Sequence, residues 1–394
     1  MTPHSACIRD LDARPPERAR SGMAESKPIE ITSITENLVQ AVRDFNVRLD
    51  SGGAPREFRF PEDHIPGWPK VDDRQLYEEY FALLENGDVR GCYILRRQEF
   101  SFYGAIRPIG FWHWPISEGM VNNKYSWVLL RMLGTVLKDQ PLLYGLAPTD
   151  RMRNIWMALS WSVWPVPFYF RVNHHGRFLK EIRALRKTRA HELMLDIGAR
   201  AGIGQLGLKI LQGARARRSA LKEARAEAIQ GFSDWANDLW KECNGRYAMI
   251  ARRDSETLNI VYPANSQKYL CYKVTRNKAV VGWAVLLDTQ MADNKYFGNL
   301  RVGSIVDCFA SPENASAVIQ AATKVLEDRG VDLIVSNQSH AAWCSGLRDA
   351  GFLQGPSNYP FFSSTELAKL LNPLQTTMAQ CHFTRGDGDG PIHL

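Results

Sequence analysis

The side chains best suited to chemistry lie between residues 303 and 362. Asp307 lies within a short apolar segment, Ile305–Phe309. A carboxylate there can act as a general base that takes a proton from an attacking amine. It can equally accept backbone N–H groups in a structural network, because such networks also hold strand-end carboxylates. The residue type at this position therefore leaves both roles open.

Three other patterns are weaker candidates for chemistry. Gly202 to Gly207 matches G-x-G-x-x-G, but the second strand and acidic residue of a dinucleotide site do not follow, which indicates a chance match. The neighbouring His174 and His175 diverge on a helix and on a strand, so a shared metal is not expected. Asp387 and Asp389 lack the distal Glu of a calcium loop. We expect no metal site.

The same region predicts strand, helix, strand, helix and strand in unbroken succession. Pro312 begins the first helix where its missing N–H costs nothing, and Gly330 ends it. Apolar residues between them recur at helical spacing. The second strand is Val331–Ser336, and the second helix runs from Ala341 to Ala350.

Two further groups of elements precede this region. Before it we predict a helix and three strands: Phe232–Cys243, Leu258–Tyr262, Tyr269–Thr275 and Lys278–Leu287. The first half of the chain repeats the order as a hairpin, a strand, a helix, a strand, a helix and a strand: Val89–Arg97 with Phe100–Pro108, Gly110–Ile116, Lys124–Lys138, Leu142–Leu146, Arg151–Trp161 and Val166–Val172.

The β–α–β–α order that closes with Leu347–Phe352 resembles the C-terminal half of the GNAT acyltransferase fold. Two such halves in one chain resemble the double-GNAT architecture of Fem-type aminoacyl transferases and related bacterial polysaccharide-associated proteins, as does the tail His382–Pro391. The resemblance implies an α+β fold with two GNAT-like halves of mixed, mostly antiparallel sheets with flanking helices. The expected boundaries are a disordered 1–28, a first half 29–176, a basic helical linker 177–231 and an acyltransferase domain 232–394.

The resemblance also implies a place for acetyl-CoA or another acyl-CoA. In GNAT proteins the pyrophosphate lies at the start of the helix after the fourth strand, where N–H groups and the helix dipole attract phosphate. The corresponding turn, Ala310–Ser316, lacks the family's glycines. The cofactor-binding residues implied here are Phe309, Ser311, Asn314, Ser316 and Asn337.

Family members often use a tyrosine to protonate the departing thiolate, at the position that Leu347 occupies here. Tyr359 is the nearest alternative general acid. Asp307 is the implied base, and His340, at the end of the second strand, can orient the substrate. The implied catalytic set is therefore Asp307, Tyr359 and His340.

Positive charge is concentrated between the two halves. Residues 177–230 hold 13 Lys and Arg residues against 5 Asp and Glu residues, whereas the whole chain has a net charge of +7. This basic stretch fits a solvated connector, an amphipathic helix on an anionic membrane surface, or, least well, a surface for aminoacyl-tRNA.

Composition places the chain among ordinary globular proteins, with 45% hydrophobic and 23% charged residues. Its seven cysteines show no C-x-x-C pair and predict reduced thiols in the cytoplasm. The first 28 residues contain no apolar signal segment, and either Met1 or Met23 can be the start. We expect a cytoplasmic protein, with peripheral contact to the inner face of the membrane as an option.

Two functions remain open from the sequence. The first is transfer of an acetyl or aminoacyl group to an amine, carried by a small molecule or a glycan of cell-envelope or exopolysaccharide synthesis. The second is a non-catalytic GNAT-fold scaffold that contacts a membrane or a partner through the basic linker. The glycine-free turn at residues 310–316 favours the scaffold, and the retained order of elements does not exclude it.

Overall fold

The structure, a computed structural model, describes residues 29–62, 76–183 and 224–388. The expected disordered N-terminus and most of the basic linker, with the glycine motif at residue 202, lie outside these ranges. So do the last six residues of the tail.

The first half contains six strands and three helices among the described residues. In chain order they are β1 (Glu30–Ser33), α1 (Val39–Ser51), β2 (Tyr77–Glu85), β3 (Asp88–Phe102), β4 (Ala105–Ser117), α2 (Val128–Asp139), β5 (Leu143–Leu146), α3 (Asp150–Ala158) and β6 (Ser162–Val172). Two 3-10 turns, Glu118–Met120 and Asn123–Tyr125, connect β4 to α2.

The second half repeats this order after the short helix α4 (His175–Glu181). Its elements are β7 (Arg225–Ala228), α5 (Asp234–Cys243), β8 (Ile250–Ala251), α6 (Ser255–Val261), β9 (Leu270–Arg276), β10 (Ala279–Gln290), β11 (Arg301–Ala310), α7 (Ala315–Asp328), β12 (Leu333–Asn337), α8 (Ala341–Asp349), β13 (Leu353–Ser363), α9 (Thr365–Leu370) and α10 (Leu374–Thr377). Another 3-10 turn, Pro312–Asn314, precedes α7.

The described strands join in one sheet with the order β1-β2-β3-β4-β5-β13-β6-β12-β11-β10-β9-β7, and β8 pairs with β3. In two pairs of adjacent strands, β4–β5 and β11–β12, the strands run parallel. The other pairs of named strands are antiparallel. The predicted α+β class with a mostly antiparallel sheet and flanking helices is therefore confirmed.

Each half completes its sheet with the last strand of the other half. β13, from the second half, lies between β5 and β6, while β6, from the first half, lies between β13 and β12. The two halves are therefore hydrogen-bonded into one sheet at their centre.

The first hairpin turns at a different point from the one predicted. The sequence placed the break between Arg97 and Phe100, but β3 runs unbroken to Phe102 and the chain reverses at Tyr103 and Gly104. Both residues have positive φ, 48° and 96°, the conformation of a tight hairpin turn. The predicted strand Phe100–Pro108 thus covers the end of β3, the turn and the start of β4, and the predicted strand Gly110–Ile116 lies within β4.

Two other segments differ from prediction. Leu258–Tyr262, expected as a strand, lies mostly in helix α6, because Asp254 caps the helix by accepting the N–H of Thr257 at 3.0 Å. Within the predicted helical linker, Arg225–Ala228 forms strand β7 and pairs with β9. The first assignment was wrong because short apolar runs do not separate helix from strand. The second was wrong because pairing with β9 overrides the helix-favouring composition of Arg225–Ala228.

The predicted core positions are buried. In the second half these are Val281, Val285, Leu286, Ile305, Val306, Leu333, Ile334 and Phe352, and in the first half Ile94, Leu129, Leu133, Leu143 and Trp156. Of the helices in the described ranges, none is long and apolar enough to cross a membrane.

The C-terminal segment 380–388 packs inside the molecule. Phe383 is fully buried and packs on Phe100, Tyr144 and Phe361, with ring centroids 4.6–5.9 Å apart. These partners come from both halves, so the segment joins the core at their junction.

We predict that Phe383→Ala lowers the free energy of unfolding by about 3–5 kcal/mol, because it leaves a cavity in a close-packed aromatic cluster. Denaturant titration of the purified protein measures this change. Leu370→Ala, at a position that is 42% exposed, is the matched control and should cost under about 1 kcal/mol. A cost for Phe383→Ala no larger than that of the control would contradict the buried position of the segment.

Candidate functional site

The sequence placed an acyl donor where β11 and β12 separate. These parallel strands pair from Val302–Leu333 to Ile305–Ser336 and diverge beyond that point. The structure shows segment 380–384 in the space between them. His382 lies within hydrogen-bonding distance of the Cys308 carbonyl of β11, 2.6 Å from Nε2, and Thr384 bridges to Gln338 after β12.

The segment is held on both sides. Phe383 and Ser339 exchange backbone and side-chain hydrogen bonds: Ser339 N–H donates to the Phe383 carbonyl at 3.1 Å, and Phe383 N–H donates to Ser339 Oγ at 2.7 Å. His382 N–H donates to the carbonyl of Met249, next to β8. A donor in this cleft would have to displace a bonded segment of the chain itself.

Asp307 lies at the centre of a buried ion-pair network. Its carboxylate accepts bonds from Arg253 Nη2, Tyr262 Oη and Thr384 Oγ1, each at 3.0 Å, and from a backbone N–H. Arg253 also binds Asp387 of the tail at 2.9 Å. These contacts fit the structural role for Asp307, and its predicted role as general base stays a prediction.

The other two predicted catalytic residues, His340 and Tyr359, have different environments from that of Asp307. His340 caps α8, where its Nδ1 accepts the N–H of Ala342 at 3.1 Å, and burial lowers the pKa of His340 to about 4. Tyr359 lies on β13, 7% exposed, with its hydroxyl against Gly388 of the tail. His340 is therefore a neutral helix cap, whereas Tyr359 borders the tail.

The predicted cofactor residues do not converge on an open space. Phe309 packs in the core against Trp240 and Tyr247. Asn314 accepts from Arg276 and donates to Ser311, and Ser316 accepts from Gln320. Asn337 donates to Asn358 and accepts from Arg385 of the tail. Their roles in cofactor binding remain predictions.

Among the described residues, the equivalent place in the first half is open. The parallel strands β4 and β5 pair only at Gly110–Leu143 and Phe111–Tyr144 and then separate. A cleft of about 370 Å³ lies beyond that point, within the size range of small-molecule sites. The two halves thus use the same strand divergence differently, since one is filled by the tail and one is open.

Apolar side chains form most of this cleft. They come from β4, the β4–α2 turns, α2, β5, α3 and the chain before β2: Phe58, Trp112, Trp114, Met120, Leu129, Leu146, Met152 and Trp156. Arg151, at the start of α3, is exposed at the rim and donates two bonds of 3.2 Å to the Gly119 carbonyl. The cleft therefore offers an apolar interior, with the cation of Arg151 and the exposed carboxylate of Glu57 among its lining residues.

The cleft passes through the plane of the sheet. Trp112 packs with residues of α2 and α3, whereas His113 stacks on Phe111 over the opposite face, at 4.5 Å between ring centroids. Successive strand residues point to opposite faces, so both surfaces of β4 reach the cleft.

Strand β4 is irregular at this point. The register with β3 shifts between Ile94–His113 and Cys92–Ile116, and Trp114 has a φ of 51°. A bulky residue in the left-handed region is strained, and bulges often redirect side chains beside active sites. The bulge follows directly after His113.

His113 is supported by a buried charge pair. Its Nε2 lies 3.7 Å from Glu78 Oε1, which also accepts from Arg96 Nε at 2.7 Å. Burial alone would raise the pKa of Glu78, but the charge of Arg96 and hydrogen bonds from Arg96 and His113 lower it to about 2. The ionised Glu78 is the carboxylate nearest to Nε2, which favours the tautomer with its proton on Nε2 and with Nδ1 as the acceptor nitrogen.

The turn between β4 and α2 contains an acidic residue, Glu118, but its charge is paired and does not repel an anion at the rim of the cleft. Glu118 is buried and binds both Arg48 and Arg90, at 3.1 and 2.9 Å. Gly119 is enclosed, because a Cβ there would lie 2.5 Å from the Tyr125 carbonyl oxygen. The negative charge is thus neutralised away from the rim cation, Arg151.

Sequence reasoning missed His113. The segment Phe111–Pro115 reads as a strand with one buried aromatic face, and nothing local marks its histidine. Its partners Glu78 and Arg96 belong to β2 and β3, so the group assembles only through strand pairing. Among the described residues, no cluster of His, Cys, Asp or Glu could hold a metal ion.

No protein-family model matches the sequence, and no curated protein matches it. Among solved structures, the chain is similar to N-myristoyltransferase of Saccharomyces cerevisiae with bound myristoyl-CoA, at 12% identity and a TM-score of 0.49, covering 86% of this chain and 84% of that one. It is also similar to a probable N-acyltransferase of unknown function from Enterococcus faecalis V583, at 8% identity and a TM-score of 0.49, covering 87% and 74%.

A third similar structure is a GCN5-related N-acetyltransferase from Kribbella flavida, at 13% identity and a TM-score of 0.40, covering 80% of this chain and 65% of that one. The structural neighbours are thus described as N-acyltransferases. Such low identities and TM-scores do not assign an activity to this chain. The resemblance to Fem-type and bacterial polysaccharide-associated proteins stays a prediction.

The network around Arg253 generates a pH-dependent prediction. Burial raises the pKa of Asp387 to about 6, with Asp307 adding to the rise and Arg253 opposing it. The folded state therefore binds more protons than the unfolded state between about pH 4 and pH 6, so stability falls as pH rises through this window.

Asp387→Asn removes that titration. The free energy of unfolding of the variant, relative to the natural protein, should rise by about 1–3 kcal/mol between pH 4 and pH 7. Denaturant titrations across this range measure the difference. Asp293→Asn, at an 85% exposed carboxylate, is the control and should show no such trend. A relative stability of Asp387→Asn that does not change with pH would contradict the raised pKa.

Proposed function

We propose that the protein is an N-acyltransferase that binds an acyl thioester in the first-half cleft. The observation that carries this proposal is the open separation of β4 and β5 beside His113. An open cleft, a supported histidine and a rim cation occur together there.

The cleft suits an acyl thioester for physical reasons. Its apolar wall offers surface to an acyl chain and to the donor's arm, at about 0.8 kcal/mol for each buried methylene. Arg151 at the rim can pair with a phosphate of acyl-CoA. Beyond Phe111–Tyr144 no described backbone bond joins β4 to β5, so strand N–H groups there can polarise the thioester carbonyl.

His113 is the proposed general base. Its Nδ1 takes a proton from the amine as the nitrogen attacks the thioester carbon. The new C–N bond forms, the C–S bond breaks, and the thiolate leaves with the electron pair and is protonated. Glu78 and Arg96 act as positioning residues, because they hold the ring and its tautomer.

The finer points rest on resemblance. We propose an amino sugar of cell-envelope or exopolysaccharide synthesis as the acceptor, and acyl-CoA rather than aminoacyl-tRNA as the donor. A cytoplasmic location, with membrane contact through residues 177–230, belongs to the same proposal.

A non-catalytic role is favoured for the second half alone. Its strand divergence is occupied by segment 380–384, and the side chains of Ser311, Asn314 and Ser316 bond to one another, to α7 and to β9. We propose that this half holds the tail and the exchanged strand rather than a donor.

We predict that Arg151→Ala weakens binding of acetyl-CoA about tenfold or more, because a charge-assisted bond to phosphate is lost. Isothermal titration measures the dissociation constant. The matched control is Arg246→Ala, an exposed cation paired with Glu313 at the second-half turn. Weaker binding in the Arg246 variant, with unchanged binding in the Arg151 variant, would place the donor in the second half instead.

We predict that His113→Gln lowers kcat for acyl transfer about 100-fold or more and leaves donor affinity nearly unchanged. Glu78→Gln should cause a smaller loss, because the ring remains but its orientation is weakened. Release of free CoA thiol, followed with an amino-sugar acceptor, measures the rates. His174→Gln, a 54% exposed histidine, is the control. Full activity in His113→Gln would rule out this base.

A further inference from the structure

A second open groove lies at the outer edge of the second half. It has a volume of about 350 Å³ and lies where β7 ends beside β9, under the loop that follows α6. The residues that line it belong to 228–230, 262–264, 266–267 and 269–272, and none carries a charged side chain. The groove therefore has no charge with which to select an ionic ligand.

Aromatic and amide side chains provide its chemistry. Tyr269 and Tyr272 are partly exposed, and Gln230 and Gln267 are exposed. Within the described parts of the chain, the side-chain polar atoms of these four residues form no hydrogen bonds. Each tyrosine offers a flat apolar face with a hydroxyl at its edge, and each glutamine offers two donors and an acceptor.

We propose that this groove binds uncharged sugar units of a glycan, and that an amino sugar elsewhere on the same glycan is the acceptor of the acyl transfer. The second clause rests on the proposed function, whereas the first does not. Sugar rings present apolar C–H faces to aromatic rings and hydroxyl groups to amides, which matches this lining. A peptide with ionised side chains finds no counter-charge there.

The groove connects with the first-half site through tyrosines. Tyr262 lines the groove and donates to Asp307 at 3.0 Å, and Tyr269 packs edge-on against it at 5.3 Å between ring centroids.

Arg96 completes the connection, because it binds Glu78 beside His113 and donates to the Gly388 carbonyl at 3.2 Å. Buried contacts thus join the groove to the base in the other half, and a glycan acceptor must be long enough to span the distance between them.

The test titrates the full-length protein with cellopentaose, maltopentaose and chitopentaose, neutral probes that differ in linkage and substituent. We expect saturable binding of at least one, weakened at least tenfold by Tyr272→Ala. Gln230→Ala, at an exposed side chain that does not support the core, should weaken it several-fold. Tyr296→Ala, a 52% exposed tyrosine elsewhere in the same half, should leave it unchanged.

Three results would overturn the proposal. They are no saturable binding of any probe at millimolar concentration, binding by the Tyr272 and Gln230 variants as tight as that of the natural protein, and tighter binding of charged peptides than of the glycans. Binding is read without acyl donor, so it stands or fails separately from catalysis. Partly deacetylated chitopentaose with acetyl-CoA then tests whether the bound glycan accepts the acyl group.

Discussion

The structure depends on two pairs of parallel strands that are hydrogen-bonded over only part of their length. Strands β4–β5 and β11–β12 each pair over a few residues and then diverge, which leaves backbone groups on both strands without the neighbour that a sheet normally supplies. Buried N–H and C=O groups need partners. In the second half the chain supplies them from its own tail, through His382 and Phe383. In the first half the same gap stays open as the cleft.

Strand exchange makes the two halves depend on each other. β13 borders β5 and therefore supports one wall of the first-half cleft, although it belongs to the second half. The tail lies between Arg253 of the second half and Arg96 of the first, through Asp387 and Gly388. A site in the first half is thus positioned by residues from the far end of the chain.

The sequence predicted the order of elements well where local signals are strong. Pro312, Gly330 and Gly351 delimit helices through their own backbone preferences, and the core positions follow from periodicity. It did not predict that residues 380–384 lie between β11 and β12, because their position is decided by contacts distant in sequence. His113 was missed for the same reason: its partners Glu78 and Arg96 reach it only through the pairing of three strands.

The central claim is that the donor binds where β4 and β5 separate. The most direct measurement is a crystal structure of the protein with a non-hydrolysable acyl-CoA thioether. We expect electron density for the acyl arm between Trp112 and Leu146, with the reactive carbon beside His113. Density between β11 and β12, with segment 380–384 displaced, would contradict it.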